Sequence, residues 1–461
     1  MVRISGDDGP LGTLRTLFLD HQLAISAALL LILFTTHIFL PDVRQTTRTF
    51  FELSYHDPVT DTYTQGWDDL PYVAFWVVVF VGIRILLMDY LLKPLALLGG
   101  IHKKKAIIRF QEQAFILIYP IIFWSLGMYI MYNSKYWLNL RELWTNFPNR
   151  SMSSTLKWYY LVQLAYWIQQ IIVVNIEEKR KDYAQMFTHH IITSALVIMS
   201  YAYYQTKVGN VILCIMDIID ILLPAAKLLR YLGYQTACDI AFGVFMVTWF
   251  FSRHILFPMV CWSIYAHVPS TMPYGCYDSV SGAQVSTPLN SLSASSPDVP
   301  AEWTNAILPN IMQSFLDPGG VVCFNPRIRF AFLGLLLSLE AIMLLWFVTI
   351  ANIAWKVIRG NSADDSRSDD EESDEEEDVE TDSAEKVQKD RCASTGTSIP
   401  SIGIPLEEEV GVEDLHLDRR RGARVHVRRS AAAAANGRGA ATRTTRDRKE
   451  LLGRIGCDGP S

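Results

Sequence analysis

Long apolar runs separated by short polar breaks extend as far as about Arg359, where charged and low-complexity sequence takes over. Runs of about 20 apolar residues are long enough to cross the hydrocarbon core of a bilayer. Residues 73–83, for example, lack the polar face that a helix on the surface of a soluble protein presents. The pattern predicts an all-α polytopic membrane protein with about eight transmembrane helices, at residues 22–40, 71–92, 114–133, 157–175, 187–206, 210–230, 239–265 and 330–358.

Basic residues near the ends of the apolar runs indicate the orientation, because cytosolic loops are enriched in Lys and Arg. Residues 103–105 and 179–181 form basic clusters in the loops after the second and the fourth run. Residues 267–326, in contrast, contain no Lys or Arg. Both basic loops lie on the same side of the membrane if the runs alternate in direction. Both termini are therefore expected in the cytosol.

These patterns divide the chain into three expected parts. They are an N-terminal segment with the first transmembrane helix and a lumenal loop (1–70), a membrane domain (71–358) and a disordered cytosolic tail (359–461).

The longest loop of the membrane domain, residues 267–329, is expected on the lumenal side. Residues 270–320 within it are rich in Ser, Pro and Gly without sustained periodicity, which predicts an irregular loop. Cys276 and Cys323 lie within it, and in an oxidising lumen they are expected to form a disulfide bond. Asn149 begins an Asn-Arg-Ser sequence that matches a glycosylation acceptor on the same side.

The tail is acidic first and basic afterwards. Residues 364–380 contain twelve acidic side chains and one arginine, a charge density typical of disorder. Ser366, Ser368 and Ser373 lie within this acidic run and are predicted sites for an acid-directed kinase, although a solvated tail with unmodified serines is the alternative. The arginine-rich segment 419–448 is expected to contact anionic membrane lipid, and nucleic-acid binding is not expected because interleaved aromatic residues are missing.

Four ionisable residues interrupt the apolar runs at adjacent positions in the predicted bundle. An ionisable group at the bilayer centre costs roughly 2.5–3.5 kcal/mol on insertion scales. His189 and His190 differ by about 100° around a helix axis, so they are not expected to face one spot, whereas Asp217 and Asp220 share a face. The short connection at residues 207–209 makes the two helices antiparallel neighbours. A buried polar site between these helices is therefore predicted.

The residue types at this site suit acid–base or nucleophilic chemistry. A neutral imidazole accepts a proton from an amine or attacks a thioester, and a nearby carboxylate fixes its tautomer. Polar contacts between helices are the structural alternative. Metal ligation is a further alternative, but no HxxxH or HxxHH motif occurs and no metal is expected. Arg253 and His254 form a second polar point, at which Arg253 would meet a phosphate or pair with an acid.

Several separated motifs resemble the TLC-domain ceramide synthases, and the fungal branch in particular. The resemblance covers about residues 70–358 and rests on WLNLRELW (137–144), KWYYLVQ (157–163), FTHHI (187–191) and MDIID (216–220). It implies an endoplasmic-reticulum enzyme that transfers a fatty acyl group from acyl-CoA to the amine of a sphingoid base, sphinganine or phytosphingosine. Met216, Ile219 and Pro224 depart from the pattern of the animal members.

The resemblance also implies residue roles, an architecture and partners. Its histidine pair and paired acids match His189, His190, Asp217 and Asp220, which makes them the expected catalytic residues. Six or so helices are expected to form the bundle around a central cavity. Lys227, Arg253 and His254 are expected to bind substrate on the basis of their positions in the sequence, since Lys227 lies on roughly the face of the acids. Acyl-CoA is the implied co-substrate, and no permanently bound cofactor is expected. A homo- or hetero-dimer, a small regulatory subunit and kinase regulation of the tail are implied partners. A non-catalytic TLC-type lipid sensor or carrier remains the alternative.

Overall fold

The computed structural model describes residues 10–176, 183–285 and 306–359, and these residues are mostly helical. The predicted tail, with Ser366, Ser368, Ser373 and the segment 419–448, lies outside the described residues. Helices occur at all eight positions that the apolar runs predict. The helices are α1 (Pro10–Phe39), α2 (Arg44–Arg48), α3 (Asp69–Leu86), α4 (Lys93–Leu98), α5 (Lys104–Tyr132), α6 (Ser154–Ile176), α7 (Tyr183–Ala202), α8 (Thr206–Tyr231), α9 (Gln235–Phe251), α10 (Phe257–Ala266), α11 (Val268–Thr271), α12 (Leu308–Ile311), α13 (Gln313–Leu316) and α14 (Pro326–Ile358).

Five helical segments within the described ranges are long and apolar enough to cross a membrane, which makes the chain a multi-pass membrane protein. The other three predicted spans correspond to α6, α7 and α8, whose apolar sequences are interrupted by polar side chains. The total of eight transmembrane helices therefore stays a prediction. The five segments are His21–Phe39, Asp69–Leu98, Lys104–Tyr132, Gln235–Ala266 and Pro326–Asn352.

Two of the long segments contain a π-helical turn just before a proline. Leu87–Leu92 joins α3 to α4 and precedes Pro94, and Ser252–Leu256 joins α9 to α10 and precedes Pro258. Proline lacks the N–H that an α-helix needs and crowds the carbonyl four residues earlier, so the backbone widens locally. The second π turn contains Arg253 and His254, the second pair of polar residues that the sequence singles out.

Helix α7 lies between α6 and α14, and α8 contacts α5, α7 and α9. On one side, α6 packs against α3 and α7, and a buried cluster there includes Tyr159, Tyr160 and Trp167. On the other side, α14 packs against α7 and α10, where Phe257 and Met343 are buried. The polar residues of α7 therefore lie between two apolar clusters.

The loop between α10 and α14 contains more regular structure than the sequence predicts. The strands β3 (Gly275–Asp278) and β4 (Val321–Phe324) form an antiparallel pair, and a disulfide bond joins Cys276 to Cys323 in register. Tyr203 donates a hydrogen bond to the Cys323 carbonyl over 2.9 Å and so connects the hairpin to the end of α7. The prediction of an irregular loop at residues 270–320 was wrong for β3, because non-local pairing leaves no periodicity in so short a segment. A second antiparallel pair consists of β1 (His56–Asp57) and β2 (Thr62–Tyr63).

Candidate active site

Two cavities lie in the region of the bundle that contains the predicted catalytic residues. The first is lined by side chains from α6, α7, α8, α10 and α14, from the π-helical turn Ser252–Leu256 and from the region of the β3–β4 pair. His189, Asp220 and Arg253 contribute polar groups to walls that are otherwise mostly apolar. The apolar lining includes Tyr160, Leu196, Ile212, Phe324, Leu336 and Leu339.

The second cavity has a more polar lining and lies among α3, α5, α6, α7 and α8. His190, Asp217 and Asp220 face it. Its other polar side chains include Arg84, Glu112, Gln170 and Tyr183. The paired acids therefore contribute to one wall together, as their three-residue spacing on a helix requires.

Trp167 and Asp220 line both cavities, so they mark the boundary between the two. The ring centroid of Trp167 lies 6.1 Å from that of His189 and 5.6 Å from that of His190. The two imidazole rings are 5.5 Å apart and line different cavities. This arrangement agrees with the angular separation of adjacent residues on a helix.

The paired acids differ in their surroundings. Asp217 is buried and accepts a hydrogen bond from Gln163, with Nε2 and Oδ2 3.1 Å apart. Tyr119 in turn donates to Oε1 of Gln163, which fixes the amide orientation. Among the described residues, neither His189 nor His190 has a hydrogen-bond partner at Nδ1. Within the described part of the chain, neither imidazole therefore forms a carboxylate hydrogen bond through Nδ1, although the expected chemistry includes a carboxylate–imidazole contact.

Arg253 is buried beside the two acids without a salt bridge to either. Its Nη2 donates to the Met216 carbonyl over 3.0 Å, and its guanidinium lies 5.1 Å from the ring centroid of Trp249. Within the described ranges, no carboxylate oxygen lies within 4 Å of it, although its charge interacts with both acids at longer range. An Arg–carboxylate contact pair, one of the two predicted uses of Arg253, is absent from this part of the chain.

The other two predicted substrate-binding residues line neither cavity. Nδ1 of His254 lies 2.9 Å from Oε1 of Glu340 in α14, so this histidine connects two helices. Lys227 lies about two turns beyond Asp220 and nearly three beyond Asp217 in α8, and it lines neither cavity. Side chains lying on one helical face need not reach one cavity, since α8 passes several neighbouring helices.

Among residues 10–176, 183–285 and 306–359, no group of three or more His, Cys, Asp or Glu side chains has the arrangement of a metal site. Asn149, the predicted glycosylation acceptor, is half-buried in the segment before α6.

Comparison with known proteins identifies the family of this bundle. The family model described as TRAM, LAG1 and CLN8, TLC domain, matches residues 109–352, which is more than half of the chain. The chain belongs to the TLC-domain family. The matched range contains both histidines, both acids and the elements that line the first cavity.

Curated fungal proteins are similar over most of their length. The sphingosine N-acyltransferase-like protein ALT7 of Alternaria alternata is 49% identical over 364 residues, 79% of this chain and 78% of that protein. The ceramide synthase FUM18 of Gibberella moniliformis is 41% identical over 72% of this chain and 74% of its own. The sphingosine N-acyltransferase lag1 of Schizosaccharomyces pombe is 38% identical over 71% of this chain and 74% of that protein.

Sequence reasoning about this TLC-domain protein missed three side chains at or near the site. Gln163 orients Asp217, Trp167 lies beside both histidines, and Glu340 pairs with His254. Gln163 and Glu340 were detectable as polar residues inside apolar runs, which is the same signal that marked the histidines. Trp167 gave no such signal, because a tryptophan in an apolar helix is ordinary.

Proposed function

We propose that this chain is a ceramide synthase that transfers a fatty acyl group from acyl-CoA to the amine of a sphingoid base. The observation that carries the proposal is the apolar first cavity, with His189 and Asp220 in its wall, in a chain whose relatives carry acyltransferase names. The similarity to these relatives favours the acyltransferase over a lipid sensor or carrier.

The two cavities suit the two parts of an acyl-CoA molecule. The apolar lining of the first cavity favours a fatty acyl chain, because burying each methylene there is worth about 0.8 kcal/mol. The second cavity has Arg84, Glu112 and Tyr183 in its lining, near the helix ends that the basic loops assign to the cytosol. We propose that the thioester lies at the boundary between the cavities, near Trp167 and Asp220.

The histidines and acids have distinct proposed roles. One histidine, with His189 favoured, removes the proton from the attacking amine or attacks the thioester and carries the acyl group. Asp217 and Asp220 stabilise the imidazolium and attract the sphingoid amine, which is cationic before it loses its proton. Acyl-CoA is the co-substrate in this scheme, with no permanently bound cofactor.

The remaining predicted substrate-binding residues keep their roles as proposals. Arg253 lines the first cavity and has no contact ion pair among the described residues, which supports a role near an anionic group of a substrate. Lys227 and His254 would act only if substrate reaches beyond the two cavities.

We further propose the membrane setting that the sequence predicts. Eight transmembrane helices, six or so of them arranged around the cavities, would form a membrane domain at 71–358 in the endoplasmic reticulum. The N-terminal segment 1–70 and the tail 359–461 would place both termini in the cytosol. The tail serines would be kinase substrates, Asn149 would be a glycosylation acceptor, and a dimer partner and a small regulatory subunit complete the proposal.

The proposed activity is tested with the full chain purified in detergent or nanodiscs. The protein is given acyl-CoA and sphinganine, and the product is identified by mass spectrometry. The proposal predicts dihydroceramide formation and release of one free CoA thiol for each molecule of product. A protein that binds sphingolipid tightly but forms no product and releases no thiol would be a lipid sensor or carrier instead.

A further inference from the structure

The indole of Trp167 is a buried polar group in the wall of both cavities. The side chain belongs to α6 and is only 6% exposed. Its Nε1 atom has no hydrogen-bond partner among the residues that the structure describes. Buried donors in native structures nearly always have an acceptor. The acceptor for this N–H is therefore expected to belong to a bound molecule and not to the described protein atoms.

Trp167 differs in position from the other tryptophans whose indole nitrogen is buried without a hydrogen-bond partner. Two more indole nitrogens, in Trp76 and Trp249, are buried without a partner within the described ranges. Neither of these residues contributes to the wall of the first or the second cavity. Trp167 is thus the unpartnered indole at the place where substrate is proposed to bind.

The position of the indole relative to the histidines limits which substrate group it would meet. Its ring lies 5.6 Å from the His190 ring and 6.1 Å from the His189 ring, between centroids. A carbonyl group close enough to react with either histidine is therefore adjacent to the indole as well. Nδ1 of both histidines, and Oγ1 of Thr193 one turn further along α7, are also unpartnered within the described chain.

We propose that the Trp167 N–H donates a hydrogen bond to the carbonyl oxygen of the acyl thioester, an inference that rests on the acyltransferase function proposed above. The amine nitrogen of the sphingoid base attacks the carbonyl carbon of the thioester and forms a C–N bond. The π-electron pair of the C=O bond moves to the oxygen. The oxyanion then re-forms the C=O bond as the C–S bond breaks. The proton lost by the attacking amine passes through a histidine to the CoA thiolate. A donor aimed at the oxygen stabilises the charge that develops there.

The experiment removes the N–H while leaving the shape of the side chain nearly unchanged. Trp167 is replaced by benzothienylalanine, in which sulfur occupies the position of the N–H, and Trp167→Phe is made in parallel. Ceramide formation is measured over a range of acyl-CoA concentrations in purified full-length protein. Loss of one oxyanion donor lowers kcat about 10²–10³-fold. KM for acyl-CoA should change by less than about threefold, because the hydrogen bond strengthens mainly in the transition state.

Trp76→Phe is the matched control, since it removes a buried unpartnered indole outside both cavities. It should leave kcat within about twofold of the unmodified enzyme. A benzothienylalanine enzyme with unchanged kcat, or with only a raised KM, would overturn the inference. If that enzyme is fully active while His189→Ala or His190→Ala is inactive, the Trp167 inference alone fails. If both histidine variants are active as well, the proposed acyltransferase site itself is wrong.

Discussion

Gln163 donates a hydrogen bond to Asp217 across the interface between α6 and α8, and Tyr119 holds the same glutamine from the other side. Gln163 and Asp217 are 0% and 1% exposed, so water does not readily replace this contact. The orientation of one of the paired acids is therefore set by α6 and not by the histidines of α7.

Gln163→Leu should lower ceramide synthesis while leaving the protein folded. A hydrogen bond to a charged group contributes about 1.5–3 kcal/mol, which corresponds to roughly a tenfold to hundredfold loss in rate if it holds the reactive geometry. The measurement is kcat in purified protein, with Tyr119→Phe as a milder companion that removes only the outer contact. Full activity in Gln163→Leu would show that the orientation of Asp217 is unimportant for the reaction.

Gly209 allows α8 to approach α6 at the wall of the first cavity. A methyl group added at Gly209 would overlap the Tyr160 hydroxyl. Overpacking of this kind costs about 1–3 kcal/mol, so Gly209→Ala should lower the thermal unfolding midpoint in detergent. Adding Tyr160→Phe should restore part of the loss, because it removes the overlapping oxygen.

The control for this helix contact is Gly243→Ala in α9, where an added methyl group meets no heavy atom within 4 Å. It should be neutral or stabilise the helix by up to about 1 kcal/mol. An unfolding midpoint for Gly209→Ala equal to that of Gly243→Ala would contradict the close approach of α6 and α8.

A buried ion pair connects the N-terminal segment to the TLC domain. Lys157 in α6 lies 2.7 Å from Asp69 in α3, and the two side chains are 0% and 3% exposed. The same ammonium donates to the backbone carbonyls of Ser54 and Thr64. Lys157→Met should therefore destabilise the protein by about 3–5 kcal/mol, because it leaves Asp69 buried without its counterion.

The double variant Lys157→Met with Asp69→Leu should be less destabilised than Lys157→Met alone, since both charges are gone. Lys135→Met changes an exposed lysine and is the control. Thermal unfolding and protease cleavage of the N-terminal segment measure the effect. Equal stability of Lys157→Met and Lys135→Met would argue against the ion pair.

The disulfide bond holds the hairpin whose residue Phe324 lines the first cavity. Cys276 and Cys323 are 47 residues apart, and closing a loop of this size stabilises a protein by about 2–4 kcal/mol. Cys276→Ser should lower the unfolding midpoint and expose the Cys323 thiol to maleimide labelling. Cys238→Ser, at a half-buried free cysteine in α9, should change neither observable. Maleimide labelling of Cys323 in the unmodified, unreduced protein would contradict the bond.

The sequence predicts the helices well because length and hydropathy report directly on the bilayer. The sequence also indicates His189, His190, Asp217 and Asp220 as candidate site residues, because ionisable residues are rare within apolar runs. What it does not predict is which side chains meet across helices. Gln163, Trp167 and Glu340 depend on the rotation of each helix about its axis, and that rotation is set by packing over the whole bundle. The β3–β4 hairpin escapes prediction for a similar reason, since its two strands are four residues each and far apart in sequence.

The most direct test of the proposed site is the rate of ceramide formation by purified His189→Ala and His190→Ala proteins with acyl-CoA and sphinganine. His102→Ala, at an exposed loop position, is the control and should retain full activity. Loss of a general base or nucleophile lowers the rate by roughly 10²–10⁴-fold, and this loss is expected in at least one of the two variants. Full activity in both His189→Ala and His190→Ala would contradict the proposed site.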